Sequence, residues 1–374
     1  APAASSPRRR RLPGDPATRY AKAVVSGKTI AGPHVRAACA RHIKDLEEGA
    51  ARGLIWDQEA VVHALAFFTE VLCLNGGEYE GKPFELLAWQ RFVVGSIFGW
   101  KTVDGHRRFR VAYVETAKGS GKSPLAAGIG MYGMVADNEA RAEIYAAATK
   151  KDQAMVLFRD AVAMWQLSPE LRSRLKTSGT GENVWNLAYL EKGAFFRPIS
   201  ADDGQSGPRP HIALIDEVHE HRNNTVVEMM RAGTKSRRQA LIFMITNSGS
   251  SKTSTCWGYH DYGAKIADGI LEDDTFFSYI CSLDVGEDPI RNEKCWAKAN
   301  PSLQEADLPG IKYLREQVRE ARGMPAKEAL VRRLCFCEWT EAENPWISAD
   351  IWLTRAADYD WQELKGRRAW AGLD

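Results

Sequence analysis

Apolar positions change their spacing twice along the chain, and each change marks a different kind of structure. From His34 to Ala50 they recur every three or four residues, which predicts an amphipathic helix closed by Gly53. Asp57 is placed to cap a second helix that runs to Leu74 and ends at Asn75-Gly76-Gly77. Pro83 suits the first turn of a third, with Phe84, Leu87, Ala88, Phe92 and Ile97 on its apolar face. The pattern then shifts to short continuous apolar runs. Phe109–Val114, Glu143–Ala148, Ile212–Ile215 and Leu241–Thr246 read as strands, and Val184–Leu190 with Ala194–Ile199 as a strand pair. Helices are predicted from Ser123, over Asp152–Gln166 and over Asn223–Arg231. Strands without alternation that take turns with helices predict an α/β fold, a mainly parallel sheet covered on both faces. From about residue 285 the chain reads as helical again, over Asn292–Lys298, Leu308–Arg322 and Pro325–Phe336. Trp296, Trp339, Trp346, Trp352, Trp361 and Trp370 crowd this last part and read as packing anchors.

Composition narrows the class. The chain has 374 residues, room for two to three domains, with 44% hydrophobic and 26% charged residues. Such a balance excludes disordered, collagen-like and disulfide-dense chains. Lys+Arg is 50 against 48 for Asp+Glu, so any nucleic-acid surface must be a local patch. The seven cysteines include no CxxC pair, which argues against zinc and suits a reducing compartment. No run approaches the ~18 apolar residues of a membrane span, and no apolar segment follows Arg8–Arg11 as in a signal peptide. Residues 1–16 read as a disordered tail whose Arg8–Arg11 run is solvated or touches DNA. The chain starts with Ala and stops in the strand-like run Ala369–Asp374, so we expect the first part of a longer protein.

The strongest chemical signal is Thr116-Ala117-Lys118-Gly119-Ser120-Gly121-Lys122-Ser123, between a strand and a helix. It fits the phosphate loop GxxxxGK[ST] except that Thr116 replaces the first Gly. Gly119 and Gly121 permit the backbone turns that aim successive N–H groups at a phosphate. The following helix points its positive end the same way. Lys122 is then expected on the β- and γ-phosphates and the Ser123 hydroxyl on Mg²⁺. A Gly-rich turn that binds nothing is the alternative. Ile212–Ile215 runs into Asp216-Glu217, which puts two carboxylates where ligands bind in parallel sheets. Asp216 is expected to hold Mg²⁺ through water and Glu217 to act as general base. A lone Asp-Glu pair is often only an acidic helix start, but a GKS loop about one hundred residues upstream changes the weighing. Thr246-Asn247-Ser248-Gly249 ends the next apolar strand, beside the expected γ-phosphate. Gln90 has an amide that suits an adenine edge.

These residues, in this order, resemble the large terminase subunit of tailed bacteriophages. The resemblance also takes in Leu87-Ala-Trp-Gln90, Phe98-Gly-Trp100, Ala201-Asp-Asp203, Ser206-Gly-Pro208, Trp296–Leu303, Asn344-Pro-Trp346 and Trp352. It implies a RecA-like P-loop ATPase with a helical N-terminal segment and a small helical lid, followed by an RNase H-like nuclease. By matching position it implies an adenine role for Gln90, the loop's basic residue at Lys118, and phosphate and metal roles for Lys122 and Ser123. It implies metal and catalytic acids at Asp216 and Glu217, and coupling at Thr246 and Asn247. Members often carry Thr-Thr-Ala-Gly where this chain has Thr246–Gly249, which loosens the role of Asn247. A trans-acting arginine finger is implied, with Arg209 or Arg237/Arg238 as positions. Asp374 alone matches a nuclease metal ligand, for Mg²⁺ or Mn²⁺, so this chain is not expected to cut DNA although its full-length parent is.

The expected organisation is a tail over 1–16, an N-terminal helical segment over 17–80, an ATPase core over 81–284, a lid over 285–358 and the start of a nuclease over 359–374. The implied partners are double-stranded DNA held without sequence preference, a portal protein, a small terminase subunit and copies of the chain in a ring. No membrane is implied, and the setting is the host cytoplasm. Two other classes compete. A DExH helicase fits Asp216-Glu-Val-His219 but needs a second RecA-like domain and an arginine motif that no sequence after 250 supplies. A non-catalytic nucleotide sensor is disfavoured by Glu217.

Overall fold

The computed structural model describes residues 15–200, 207–221 and 223–340, together with 362, 365, 366 and 368. Arg8–Arg11, Ala201–Asp203, Ser206, Asn344–Trp346, Trp352 and Asp374 lie outside these residues. The N-terminal part is built on helices whose starts are written in the sequence. Asp15 caps α1 (Pro16–Val25) by accepting the Thr18 N–H at 2.9 Å, and Pro16 fits its first turn. Pro33 opens α2 (Pro33–Glu48), and Asp57 caps α3 (Gln58–Val71) through the Ala60 N–H. A short strand β1 (Leu54–Trp56) separates α2 from α3 and pairs antiparallel with β2 (Trp100–Thr102), which follows α4 (Ala88–Gly99). Helix α4 starts five residues later than its Pro83 signal predicts. Pro83 instead pairs with Cys73 in an isolated bridge, so the chain stays extended up to Leu87. Gly95 of α4 faces Ala17 of α1, and a Cβ there would approach the Ala17 side chain to 2.7 Å, so glycine sets how closely these helices pack.

The sheet comprises β3 (Val111–Glu115), β4 (Glu143–Ala148), β5 (Lys176–Ser178), β6 (Asn186–Tyr189), β7 (Ala194–Ser200), β8 (Ile212–Ile215), β9 (Leu241–Thr246) and β10 (Phe276–Ile280). Its order is β10-β3-β9-β8-β4-β7-β6-β5, parallel from β10 to β7, with the last two strands antiparallel. Every residue of β3, β8, β9 and β10 is buried, which accounts for the continuous apolar runs. Successive β3 residues serve opposite faces. Ala112 and Val114 join the larger core beneath α5 (Lys122–Val135), α6 (Lys151–Leu167) and the N-terminal helices. Val111 and Tyr113 join the smaller core under α8 (Thr225–Gly233) and α9 (Thr255–Ala267). A short α7 (Pro169–Arg174) leads from α6 into β5.

The last described part holds α10 (Trp296–Ala299), α11 (Leu303–Ala306), α12 (Ile311–Gly323) and α13 (Pro325–Phe336). Trp296 anchors it as the sequence predicts. Its ring is buried against Phe336 and its N–H reaches the Pro289 carbonyl at 2.7 Å. Strand β10 and helices α1 and α9 were not anticipated. Among the described residues after 250, β10 is the one strand, and it extends the first sheet rather than starting a second. The second RecA-like domain that a helicase needs is therefore not formed by these residues.

Candidate nucleotide site

Strand order brings three sequence signals together. Strand β9 lies between β3 and β8, with Glu115 opposite Thr246 and Ile215 opposite Met244. The turn after β9, Thr246-Asn247, therefore sits between the glycine-rich loop after β3 and the acid pair after β8, all at the carboxyl edge of the sheet. Gly119 and Gly121 take φ of 86° and 84°, as the phosphate-loop reading requires. Gly121 caps α5, and the N–H groups of that helix's first turn have no partner within the helix. Thr116, in place of the usual Gly, turns its hydroxyl to Ser120 Oγ at 2.9 Å and so ties the loop across its base.

Lys122 is buried, and its ammonium donates to Thr116 O at 2.9 Å, Ala117 O at 3.0 Å and Asn247 Oδ1 at 2.7 Å. All three donors face neutral acceptors, and burial lowers the pKa of the group. The acids show the complementary condition. Burial, and then the charge of Glu217, push Asp216 up to about 7. Burial also raises Glu217, against the pull of Lys122 and Lys118. Asp216 Oδ1 accepts the Glu217 N–H at 2.8 Å, and Glu217 itself holds φ at 48°, a strained value for a non-glycine residue. Glu217 Oε2 lies 3.2 Å from His219 Nδ1 without hydrogen-bond geometry. His219 gives its backbone N–H to Thr246 Oγ1 at 3.1 Å. Burial pushes its pKa down to about 4, so the ring is neutral. Neither carboxyl forms a salt bridge to a Lys or Arg among the described residues, and the two share the sheet's carboxyl edge with Ser123 in the first turn of α5, an oxygen set that suits a hard divalent ion such as Mg²⁺.

Gln90 lies against the loop at Gly121. It is 3% exposed, with Oε1 on the Leu87 N–H at 2.9 Å and Nε2 on Gly121 O at 3.4 Å. Its amide supports the loop, and one donor hydrogen remains for a base. Lys118 is exposed at the loop's outer side. The arginine positions lie at the other edge of the sheet. Arg209 is exposed three residues before β8 begins, with its N–H on Glu143 Oε2. Arg237 is spent on the scaffold, bonding Glu139 and the carbonyls of Arg209 and Arg141. Arg238 is exposed and gives its carbonyl to Arg110.

The sequence alone did not reveal what holds the loop. Ala117 N donates to Ala299 O at 3.2 Å, Lys118 N to Leu334 O at 2.8 Å, and Ser302 Oγ to Ser120 O at 2.9 Å. Trp89 Nε1 in turn holds Ser302. Pro309 sits so close that a Cβ on Gly119 would meet it at 2.8 Å. Ser248 Oγ bonds the carbonyls of Arg333 and Glu338, which fastens the turn after β9 to the end of α13. The helical part is thus a clamp around the loop. The one available signal was the density of Trp, Asn and Pro over Trp296–Leu303. Among the described residues no group of three or more His, Cys, Asp or Glu is arranged to hold a metal.

The model of the terminase large subunit ATPase domain matches residues 88–265, and that of the terminase large subunit endonuclease domain matches 270–374. The second match corrects the expectation that the nuclease starts at 359 and is nearly absent, because endonuclease-family sequence begins at 270. Its described part comprises β10 and α10–α13, which complete the sheet and clamp the loop. That is why it read as a lid. Protein YmfN of Escherichia coli K12 is 29% identical over 183 residues, 48% of this chain and 38% of that protein. The large terminase subunit of Enterobacteria phage HK97 is 22% identical over 294 residues, 77% of this chain and 55% of that protein. The chain therefore spans about half the length, or less, of these curated relatives. The crystal structure of the HK97 bacteriophage large terminase has the same fold, with a TM-score of 0.64 at 20% identity over 78% of this chain and 58% of that one. With a RecA-like α/β sheet that carries a glycine-rich loop and an Asp-Glu pair on one edge, and with both domain models in register over most of its length, the chain belongs to the large terminase subunit family of tailed bacteriophages.

Proposed function

We propose that the chain is the ATP-hydrolysing motor part of a terminase that drives double-stranded DNA into a procapsid. The observation that supports this most is the convergence of Lys122, Asn247, Asp216 and Glu217 on one sheet edge. The phosphates of ATP rest on the N–H groups from Gly119 to Ser123. Lys122 exchanges an acceptor for a phosphate oxygen, and the one it gives up most readily is Asn247 Oδ1, a side chain rather than a backbone carbonyl. Loss of that bond frees Thr246-Asn247, and through Ser248 the end of α13 senses phosphate occupancy. Ser123 and Asp216 would hold Mg²⁺, which would supply positive charge for the phosphate oxygens. Glu217 takes the proton of the attacking water. Lys118, exposed on the outer side of the loop, meets the outer phosphates. Arg209, on the opposite edge, is out of reach of its own site and serves a neighbouring subunit in a ring.

The partners on this reading are double-stranded DNA gripped through its phosphates, a portal protein and a small terminase subunit, in the host cytoplasm. Among the described residues no helix is long and apolar enough to cross a membrane. A nuclease activity, using Mg²⁺ or Mn²⁺, goes with the endonuclease-family part from residue 270 on, and Asp374 is one of its ligands on this reading. The test is phosphate release from ATP by the wild type and Lys122→Ala, with equimolar mixtures of Arg209→Ala and Glu217→Gln subunits. Turnover that survives Lys122→Ala refutes the site. A mixture no more active than its components argues against a trans arginine.

A further inference from the structure

A cleft of about 300 Å³ opens directly off the phosphate loop, between α12 and α13. Lys118 and Gly119 form its inner wall, so whatever occupies it abuts a ligand on the loop. Pro309, Val331 and Leu334 make its apolar floor. Tyr313 and Leu330 stand at its sides at 46% and 40% exposure, which is unusual for large apolar side chains on facing helices. Gln317 lies one helical turn beyond Tyr313 on the same face. Among the described residues neither Gln317 nor the Tyr313 hydroxyl has a hydrogen-bond partner. An aromatic face, an aliphatic wall and one free amide make a slot for a flat heterocycle with a polar edge. The amide that the sequence assigned to a base, Gln90, is meanwhile buried, with its oxygen on the Leu87 N–H at the start of α4 and its nitrogen on the loop at Gly121 O.

We propose that this cleft receives the purine base of the bound nucleoside triphosphate, with Tyr313 stacking on the ring, Leu330 closing its other face and Gln317 meeting its hydrogen-bonding edge. The assignment rests on the reading of the loop as a triphosphate site and adds to it the part of the site that selects the base. A Gln amide both donates and accepts, which matches adenine N7 and the N6 amino group, whereas on guanine its oxygen would face the O6 acceptor. Helices α12 and α13 lie within the endonuclease-family match, so the base would be read by a different segment from the one that holds the phosphates.

The experiment is calorimetric titration of the 374-residue chain with ATP, GTP and inorganic tripolyphosphate. It compares the wild type with Tyr313→Ala, Gln317→Ala and Leu330→Trp, all at positions outside the fully buried core. Loss of one stacking face is worth roughly tenfold in affinity. The expected result is ATP affinity reduced about tenfold by Tyr313→Ala and by Leu330→Trp, which fills the slot. Gln317→Ala narrows the preference for ATP over GTP. Tripolyphosphate binds every variant as it binds the wild type. Equal losses for ATP and tripolyphosphate would make the cleft a support for the loop and overturn the proposal. Unchanged ATP affinity in all three variants would also overturn it, as would an altered sedimentation coefficient without a change in ATP affinity, which would give the cleft to a second copy of the chain. Failure of the wild type to bind either ATP or tripolyphosphate would refute the triphosphate reading itself.

Discussion

Both edges of the sheet bury charge, and they settle it in opposite ways. At the amino edge Arg107 is fully buried against Asp137, which also accepts from His211 at 2.7 Å. Arg108 bridges Asp45 at 2.7 Å and Asp274 at 2.6 Å, and Arg237 takes Glu139 at 2.9 Å. Burial alone would raise the Asp137 pKa, but Arg107 and His211 overcome it and hold the carboxyl below its ordinary value. At the carboxyl edge Lys122 faces neutral oxygens, while Asp216 and Glu217 face one another with raised pKa values. Charges closed among themselves are scaffold. Charges left open, in a protein that must spend folding energy to bury them, mark where a charged ligand completes the set.

The sharpest way to test this contrast is Glu217→Gln, which keeps shape and removes the base. Turnover should fall about 10²–10⁴-fold, the usual worth of a general base, with ATP affinity and thermal stability retained. A comparable loss of melting temperature would mean that the carboxyl edge is scaffold too. Asp137→Asn at the other edge should do the reverse. It leaves Arg107 buried and uncompensated, so unfolding stability should drop by about 3–5 kcal/mol, with turnover per folded molecule intact. Urea denaturation measures the first quantity and active-site titration the second.

Acidity should separate the two edges by sign. Asp216 has a folded pKa near 7 against an ordinary 3.8, so its protonated form contributes stability at low pH that is lost as pH rises through that window. Asp216→Asn should therefore raise the melting temperature of the ligand-free protein at pH 8 and change little at pH 4. Asp137, with its depressed pKa, contributes stability above its ordinary value that is lost as pH falls below it. The penalty of Asp137→Asn should shrink only in acid below about pH 4. The smallest effect belongs to Arg209→Ala. The side chain is exposed and is the stem of no buried pair among the described residues, so stability should stay within about 0.5 kcal/mol.

The carboxyl edge was the more legible of the two because its chemistry is local. A phosphate loop needs eight consecutive residues between a strand and a helix, and an acid pair needs four apolar residues before it. Those runs fixed Thr116–Ser123 and Asp216-Glu217, and the strands beneath them came out within two residues of prediction at each end. The ion pairs of the other edge join residues 30 to 166 apart, such as Arg107 with Asp137 and Arg108 with Asp274. No spacing rule reaches that far. Strand β10 escaped for a similar reason. Phe276–Ile280 is short, lacks alternation and finds its partner β3 more than 160 residues upstream. Gln90 was read as an adenine amide, and its burial, with Nε2 on the loop carbonyl of Gly121, is invisible in sequence.

The position of β10 bears on how such genes can be recombined. The two family matches meet in the few residues after 265, between the end of α9 and the start of β10. A crossover there looks harmless in an alignment of domains. In the folded chain it would trade away the strand hydrogen-bonded to β3 and, with Ala299, Ser302 and Leu334, the contacts that shape the phosphate loop. A hybrid would carry the phosphate-binding residues of one parent on a foundation supplied by the other. Viable exchanges should therefore fall beyond the clamp contacts seen among the described residues, which run to Glu338, or bring in donor pairs already matched across the β3–β10 seam.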